Sequence, residues 1–233
     1  MKPADKYYTL VASLPYLPRI GQVRERIPLN HAQMLKRFKM LSEDDHRTID
    51  LAWKFIAWEE QDPKLLDADI VASYQKLTQQ SSHPALCEVM EFRMGLRTVL
   101  SGIRRRHQGQ VDPPKDVNWG VPPWNRHMQR NWSDPDFKLA GVFPWISSTR
   151  VDIEAGHSLR VEERVMNLVW DSLDQLCHNK SFSFEHVLAF FFKWDILDRW
   201  LDQDVSKAEL TIVRLTDSLI EDFRTESGEQ LTA

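Results

Sequence analysis

The chain has 233 residues, 42% hydrophobic and 27% charged, with a formal net charge of −4, a composition typical of a globular protein with its own hydrophobic core. No apolar run approaches the roughly 20 residues that span a bilayer, and no long apolar segment follows Met1, so the sequence predicts neither a membrane span nor a signal peptide. Two cysteines, Cys87 and Cys177, are too few for a disulfide framework, and we expect buried thiols in a soluble cytoplasmic protein.

The sequence pattern changes from extended to helical after about residue 21. Residues 7–15 are rich in β-forming residues and end in a proline, which predicts a short strand or extended segment. Beyond it, apolar residues recur at three- and four-residue spacing, which predicts helices. Asn30 with Gln33 forms a capping box, so the first of these helices should begin there and run to about Leu41.

The helical pattern continues at six further positions, four of which carry capping residues or an initial proline. These helices should begin near Ser42, residue 66, Pro84, Ser158, Ser183 and Ser206. The last one would carry an apolar stripe of Ile212, Leu215, Leu219 and Phe223.

Residues 109–147 interrupt this helical pattern with six prolines and four tryptophans. Only the stretch at about 123–132 favours a helix, and the many aromatic residues favour a packed connector over a flexible linker. We therefore predict a predominantly α fold, a helical bundle of two packed halves preceded by a short extended segment. Its parts would be an N-terminal half (1–108), a Pro/Trp-rich connector (109–147) and a C-terminal half (148–233), with one compact domain as the alternative.

The sequence contains no complete catalytic, nucleotide-binding or metal-binding motif. It has 8 glycines, and it contains neither a Gly-rich phosphate loop nor a Gly-x-Ser-x-Gly elbow. His83 and Cys87 are one helical turn apart, but the second ligand pair of a zinc site is missing. Glu88 and Glu91 accompany arginines on one helix, which is more typical of a salt-bridged surface than of acid–base catalysis. We therefore expect no catalytic residue, no cofactor and no metal, and we do not expect an enzyme. A cofactor-free enzyme that assembles carboxylates from distant segments in a helical cleft is a third alternative.

Basic and aromatic residues are interleaved around the middle of the chain. Cations that neutralise phosphates, alternating with aromatic faces, are what single-stranded nucleic acid binding requires. The alternative is a helix C-terminus that favours cations, followed by a packed tryptophan-rich loop. The sequence pI of about 6.1 favours that second interpretation. The candidate interaction surface comprises Arg97, Arg104, Arg105, Arg106, Trp119, Trp124, Arg126, Arg130, Trp132 and Arg199.

Three segments resemble known families. Residues 7–15, with the pattern Tyr-Tyr-x-Leu-x-Ala-x-Leu-Pro, resemble the start of an uncharacterised bacterial family encoded beside V/A-type ATPase subunits. More faintly, residues 91–100 resemble a repeated helical unit of the C-type subunit of the V/A-type ATPases, an all-helical protein that seats the central rotor stalk on the membrane ring. Residues 184–201 resemble a second such unit. The C-type subunit typically has three units, whereas at most two are found here.

The resemblance implies a non-catalytic helical interaction subunit or assembly factor of a V/A-type rotary ATPase. The related C-type subunit links the central stalk to the membrane rotor ring, so the expected partners are stalk or membrane-ring subunits. Such a protein would be cytoplasmic and peripheral at the inner membrane through its complex. The alternative function is a single-stranded nucleic acid binding protein that uses the basic, tryptophan-rich middle segment.

Overall fold

The computed structural model describes residues 6–22, 26–61, 66–81, 83–115 and 118–202. Within these ranges the chain forms nine helices and no strand, which confirms the predicted predominantly α fold. The helices are α1 (Tyr8–Ser13), α2 (His31–Phe38), α3 (Glu43–Gln61), α4 (Asp67–Gln80), α5 (Pro84–His107), α6 (Trp124–Arg130), α7 (Ile146–Glu154), α8 (Ser158–Leu176) and α9 (184–202). None of these helices is both long and apolar enough to cross a membrane.

Residues 7–15 contain helix α1 and not the extended segment that we predicted. Tyr7 and Leu10 are three residues apart and both are buried, a helical spacing that outweighs a weak preference for strand. The Tyr7 amide also donates a hydrogen bond of 2.9 Å to the carbonyl of Phe182, which fixes this segment against the chain before α9. The following proline disfavours helical backbone at Leu14, which is extended, and the helix ends there.

Most of the predicted helix starts are confirmed. The Asn30 side chain accepts a hydrogen bond of 2.9 Å from the Gln33 amide, and the Gln33 side chain accepts one of 3.2 Å from the Asn30 amide. This capping box begins α2, which ends at Phe38, three residues before the predicted end. The predicted starts near Ser42, residue 66, Pro84, Ser158 and Ser183 correspond to α3, α4, α5, α8 and α9. The helix predicted from Ser206 lies outside the described residues.

Helix α7 was not predicted, and its buried face explains why. That face consists of Ile146, Thr149 and Asp152, two of which are polar, so no hydrophobic stripe marks the helix in the sequence. The Thr149 hydroxyl donates to the carbonyl of Trp145 at 2.9 Å, and Asp152 forms an ion pair of 2.7 Å with Arg164 of α8. Polar contacts with neighbouring residues therefore satisfy the buried face of α7.

One hydrophobic core joins helices from both predicted halves. Helix α5 contacts α4, α6, α7 and α8, and twelve of its residues are buried. The indole N–H of Trp194 in α9 donates a hydrogen bond of 2.6 Å to the Leu29 carbonyl before α2. Among the most deeply buried members of this core are Leu10, Met34, Phe38, Ile56, Leu86, Met90, Leu173 and Phe192.

The connector packs as a second hydrophobic cluster against α5 and α7. Its buried members are Val99, Ile103, Trp119, Met128, Trp132, Phe137, Leu139 and Ile146. Two glycines of α5 allow α6 to approach closely. A Cβ atom on Gly102 would lie 2.1 Å from Cε of Met128, and one on Gly95 would lie 2.9 Å from Nε1 of Trp124. The aromatic residues of the connector are thus part of a packed core.

Candidate interaction cleft

A cleft of about 930 Å³ opens between α5, α8 and α9. Its wall on α5 begins at Arg93 and continues past Arg105, a span of about 18 Å at 1.5 Å per residue. Helix α8 contributes side chains from Ser158 to Val169, and α9 contributes Ile196 and Arg199. We call this feature the arginine cleft.

Charged and apolar side chains both line the described part of the arginine cleft. The cations are Arg93, Arg97, Arg104, Arg105 and Arg199, whereas the acidic lining residues are Asp67 and Glu162. The floor is apolar and includes the buried residues Leu96, Leu100, Val161, Met166, Val169 and Ile196. The described part of the cleft therefore combines more cationic than acidic side chains with an apolar surface.

Asp67, in the first turn of α4, organises the α5 side of the cleft. Its carboxylate lies 2.8 Å from the guanidinium of Arg105 and 3.7 Å from that of Arg97. The Ser101 hydroxyl donates to the same carboxylate at 2.7 Å. One carboxylate therefore holds Arg97, Arg105 and Ser101 on the same wall of the cleft.

The other cationic residues are held in different ways. Arg199 forms an ion pair of 2.6 Å with Asp195, one turn earlier in α9 and buried. The guanidinium carbon of Arg93 lies 5.6 Å from the centre of the Phe192 ring. The Arg104 side chain is exposed and forms no ion pair with any residue that the structure describes. Arg104 is therefore the cleft cation most accessible to a partner.

The structure divides the predicted interaction surface. Four of its members, Arg97, Arg104, Arg105 and Arg199, line the arginine cleft. Arg106 extends elsewhere, since its guanidinium donates to the carbonyls of Asp134 and Pro135 and lies 5.0 Å from the centre of the Phe137 ring. Arg126 and Arg130 are exposed on α6, outside the lining of the cleft.

The three predicted tryptophans belong to the connector and not to the cleft. Trp119 and Trp132 are buried, with ring centres 6.2 Å apart in an edge-to-face arrangement. The Trp132 indole donates to the carbonyl of Gln110 at 3.2 Å. Trp124 is partly buried, 4.8 Å from the ring of Phe143. These rings fill the connector core.

Sequence reasoning missed Arg93 and the whole α8 side of the cleft. The spacing of Arg93 from its charged neighbours indicates only a solvated, salt-bridged helix face. The apolar residues of α8 resemble ordinary core positions, because periodicity identifies an apolar face but not what covers it. These residues meet the arginines of α5 only in the folded protein.

A second polar cluster surrounds Asp45, and its hydrogen bonds stabilise the fold. The buried Asp45 carboxylate accepts hydrogen bonds from the Tyr7 hydroxyl, from Lys6 at 2.9 Å and from Ser42 at 2.9 Å. Burial raises the pKa of Asp45, but these three donors outweigh burial and lower its pKa below the ordinary value. The hydrogen bonds to Tyr7 and Asp45 raise the pKa of Lys6, so its ammonium group stays protonated and is no base for Ser42. The cluster fastens α1 to the start of α3.

The arginines of the cleft are suited to binding anions. Guanidinium groups form their strongest hydrogen bonds with carboxylates and phosphates. Among the described residues, no group of three or more His, Cys, Asp or Glu side chains could hold a metal ion.

Comparison with known proteins gives one family match. Residues 54–223 match the model of a family described as "Protein of unknown function (DUF2764)". The chain belongs to this family. The matched range contains every lining residue of the arginine cleft that the structure describes, from Phe55 to Arg199. Searches of curated proteins and of solved structures gave no match.

Proposed function

We propose that this protein is a non-catalytic helical subunit or assembly factor that binds another protein through the arginine cleft. The observation that carries the proposal is the joint presence of five arginines and an apolar floor in one open cleft. Arginine and apolar side chains together are typical of sites that contribute strongly to protein–protein binding. In the cleft, Asp67 contacts two arginines and a serine hydroxyl, an arrangement that favours a structural role for it over acid–base chemistry.

For the partner we propose a stalk or membrane-ring subunit of a V/A-type rotary ATPase. The proposal comes from the resemblance of residues 91–100 and 184–201 to helical units of the C-type subunit. These two segments lie in α5 and α9, and each contributes arginines to the same cleft, Arg93 and Arg97 from the first and Arg199 from the second. Association with the membrane would then be indirect, through the ATPase complex.

Single-stranded nucleic acid binding receives less support. Base stacking needs accessible aromatic faces, and Trp119 and Trp132 are buried in the connector. The exposed Arg126 and Arg130 of α6 lie outside the arginine cleft.

Native co-purification tests the proposed function. A tagged full-length chain, isolated from its own cells with mild detergent, should retain V/A-type ATPase stalk or ring subunits identifiable by mass spectrometry. Because charged contacts are screened by salt, retention should fall as ionic strength increases. Recovery of the tagged protein without any ATPase subunit at low salt would contradict the proposal.

A further inference from the structure

We propose that the arginine cleft receives an acidic amphipathic helix of the partner protein, lying along α5 with its apolar face against α8 and α9. This inference rests on the proposed protein-binding function and adds the chemistry of the bound segment. Three features of the cleft support it: the linear order of its cations, the composition of its floor and the distribution of its charge.

The arginines of α5 follow a line along the helix. Arg93, Arg97 and Arg104 are spaced by four and seven residues, which places them on one face over about 16 Å. A compact anion with a single phosphate would contact only part of such a row. A helix with Asp or Glu every three to four residues presents carboxylates at a similar spacing, so it can meet the row along its length.

The floor of the cleft requires an apolar stripe on the same partner helix. Buried residues from three helices form this floor, among them Leu100 of α5, Val169 of α8 and Ile196 of α9. An amphipathic helix that places its apolar face in a groove is a common mode of peptide recognition. The partner segment would therefore carry large apolar residues on one face and carboxylates beside them.

Charge complementarity favours an acidic segment over a neutral or basic one. Five arginines and two acidic residues line the described part of the cleft, and the exposed Arg104 forms no ion pair with a described residue. Carboxylates of the partner would compensate this surplus positive charge, whereas a lysine-rich helix would be repelled. Such complementarity mainly determines association rate and partner choice.

A peptide-binding experiment with the full-length chain tests this inference. The probe is a fluorescent helical peptide of roughly 16 residues, about 24 Å long, with a leucine stripe flanked by glutamates. The comparison peptide has lysine in place of each glutamate. We expect anisotropy to show salt-sensitive binding of the glutamate peptide and no binding of the lysine peptide.

Substitutions in the chain locate the binding. We expect Arg104→Glu to weaken glutamate-peptide binding by about tenfold or more, because it replaces a charge-assisted contact with a repulsive one. The matched control is Arg130→Glu, since Arg130 is also an exposed arginine in the last turn of a helix, and it should leave binding unchanged. Arg104→Gln, a milder change, should give an intermediate loss. Equal effects at positions 104 and 130, or equal binding of the two peptides, would overturn the inference.

Crosslinking identifies the occupant of the cleft in cells. Gln108 is exposed at the cleft, so a photoreactive benzoylphenylalanine at this position leaves every cleft arginine intact. We expect a crosslink to an acidic helical segment of an ATPase subunit. A crosslink to a second copy, or within the chain itself, would overturn the inference.

The two proposals fail in different ways. ATPase subunits captured equally by the wild-type and Arg104→Glu chains would leave the proposed function intact and remove the cleft as the docking site. Binding of the glutamate peptide at Arg104 without capture of an ATPase subunit would support the cleft as a docking site for an acidic helix. It would remove the ATPase subunit as the partner.

Discussion

Asp45 is a single buried carboxylate that holds two helices together. Its bond to Lys6 contributes little, because the Lys6 side chain is 50% exposed and solvent screens the ion pair. The bond from the Tyr7 hydroxyl is different, since both groups are buried. Hydrogen bonds to charged groups in such surroundings contribute about 1.5–3 kcal/mol. Tyr7 is therefore the residue on which the attachment of α1 depends most.

Replacing Tyr7 tests this attachment. We expect Tyr7→Phe to lower the free energy of unfolding by about 1.5–3 kcal/mol, because it removes one donor from a buried carboxylate. Urea denaturation followed by circular dichroism measures the change. Tyr8→Phe is the control, because Tyr8 is 59% exposed and should lose little stability. Equal effects of the two substitutions would contradict a special role for Tyr7.

The comparison of wild type with Tyr7→Phe also gives a pH prediction. The pKa of Asp45 in the folded protein lies below its ordinary value of 3.8. A depressed carboxyl pKa stabilises the fold fully above the ordinary value, and this stabilisation is lost as the pH falls through the folded pKa. We therefore expect the stability difference between wild type and Tyr7→Phe to be constant near neutral pH and to shrink below pH 3.8. A stability difference that grows on acidification would contradict the lowered pKa of Asp45 in the folded protein.

Helix α5 separates two functions on nearly opposite faces. Gly95 and Gly102 are seven residues apart and face the connector, where they allow α6 to approach. Arg97 and Arg104 have the same spacing but begin two residues later, which rotates them by about 200° around the helix axis. One face of α5 therefore supports the connector while the other forms the wall of the arginine cleft.

A larger side chain at Gly102 should disturb the α5–α6 contact. The Cβ of Gly102→Val would overlap with Met128 Cε, and we expect overpacking to cost about 1–3 kcal/mol of stability. This cost exceeds the few tenths of a kcal/mol that valine gains over glycine in helix propensity. Thermal unfolding measures the change, with Gly141→Val as the control because the space around Gly141 is open. Unchanged stability of Gly102→Val would show that α6 adjusts freely.

The helix starts that are marked by residues within or next to the helix itself were predicted correctly from the sequence. The capping box of Asn30 and Gln33 and the initial proline of α5 lie within a few residues of the helices that they begin, so both starts were found. The prediction for α1 was wrong because its conformation depends on burial of Tyr7 against distant residues. The arginines of the cleft were recognised individually, but their grouping depends on how α4, α8 and α9 pack around α5.

On the scale of the whole molecule, contacts between distant parts of the sequence connect the two predicted halves. The Tyr7 amide donates to the Phe182 carbonyl, and the Trp194 indole donates to the Leu29 carbonyl. Arg19 forms an ion pair of 2.7 Å with Asp171 of α8. The connector contributes as well, since Trp145 packs against both hydrophobic clusters. Separating the halves at residue 108 would break all of these contacts.

We therefore expect the fragment 1–108 not to fold by itself. Without α8 and α9, core residues of α5 such as Leu86, Met90 and Leu100 would lose part of their cover. Each such side chain gains about 1.5–3 kcal/mol from full burial, so partial exposure of several would consume much of a typical stability of about 5–15 kcal/mol. Circular dichroism and hydrogen exchange should show cooperative unfolding for the full chain and none for the fragment. A fragment with a cooperative transition of its own would instead establish residues 1–108 as an independent domain, and the shared core would then be an interface between two domains.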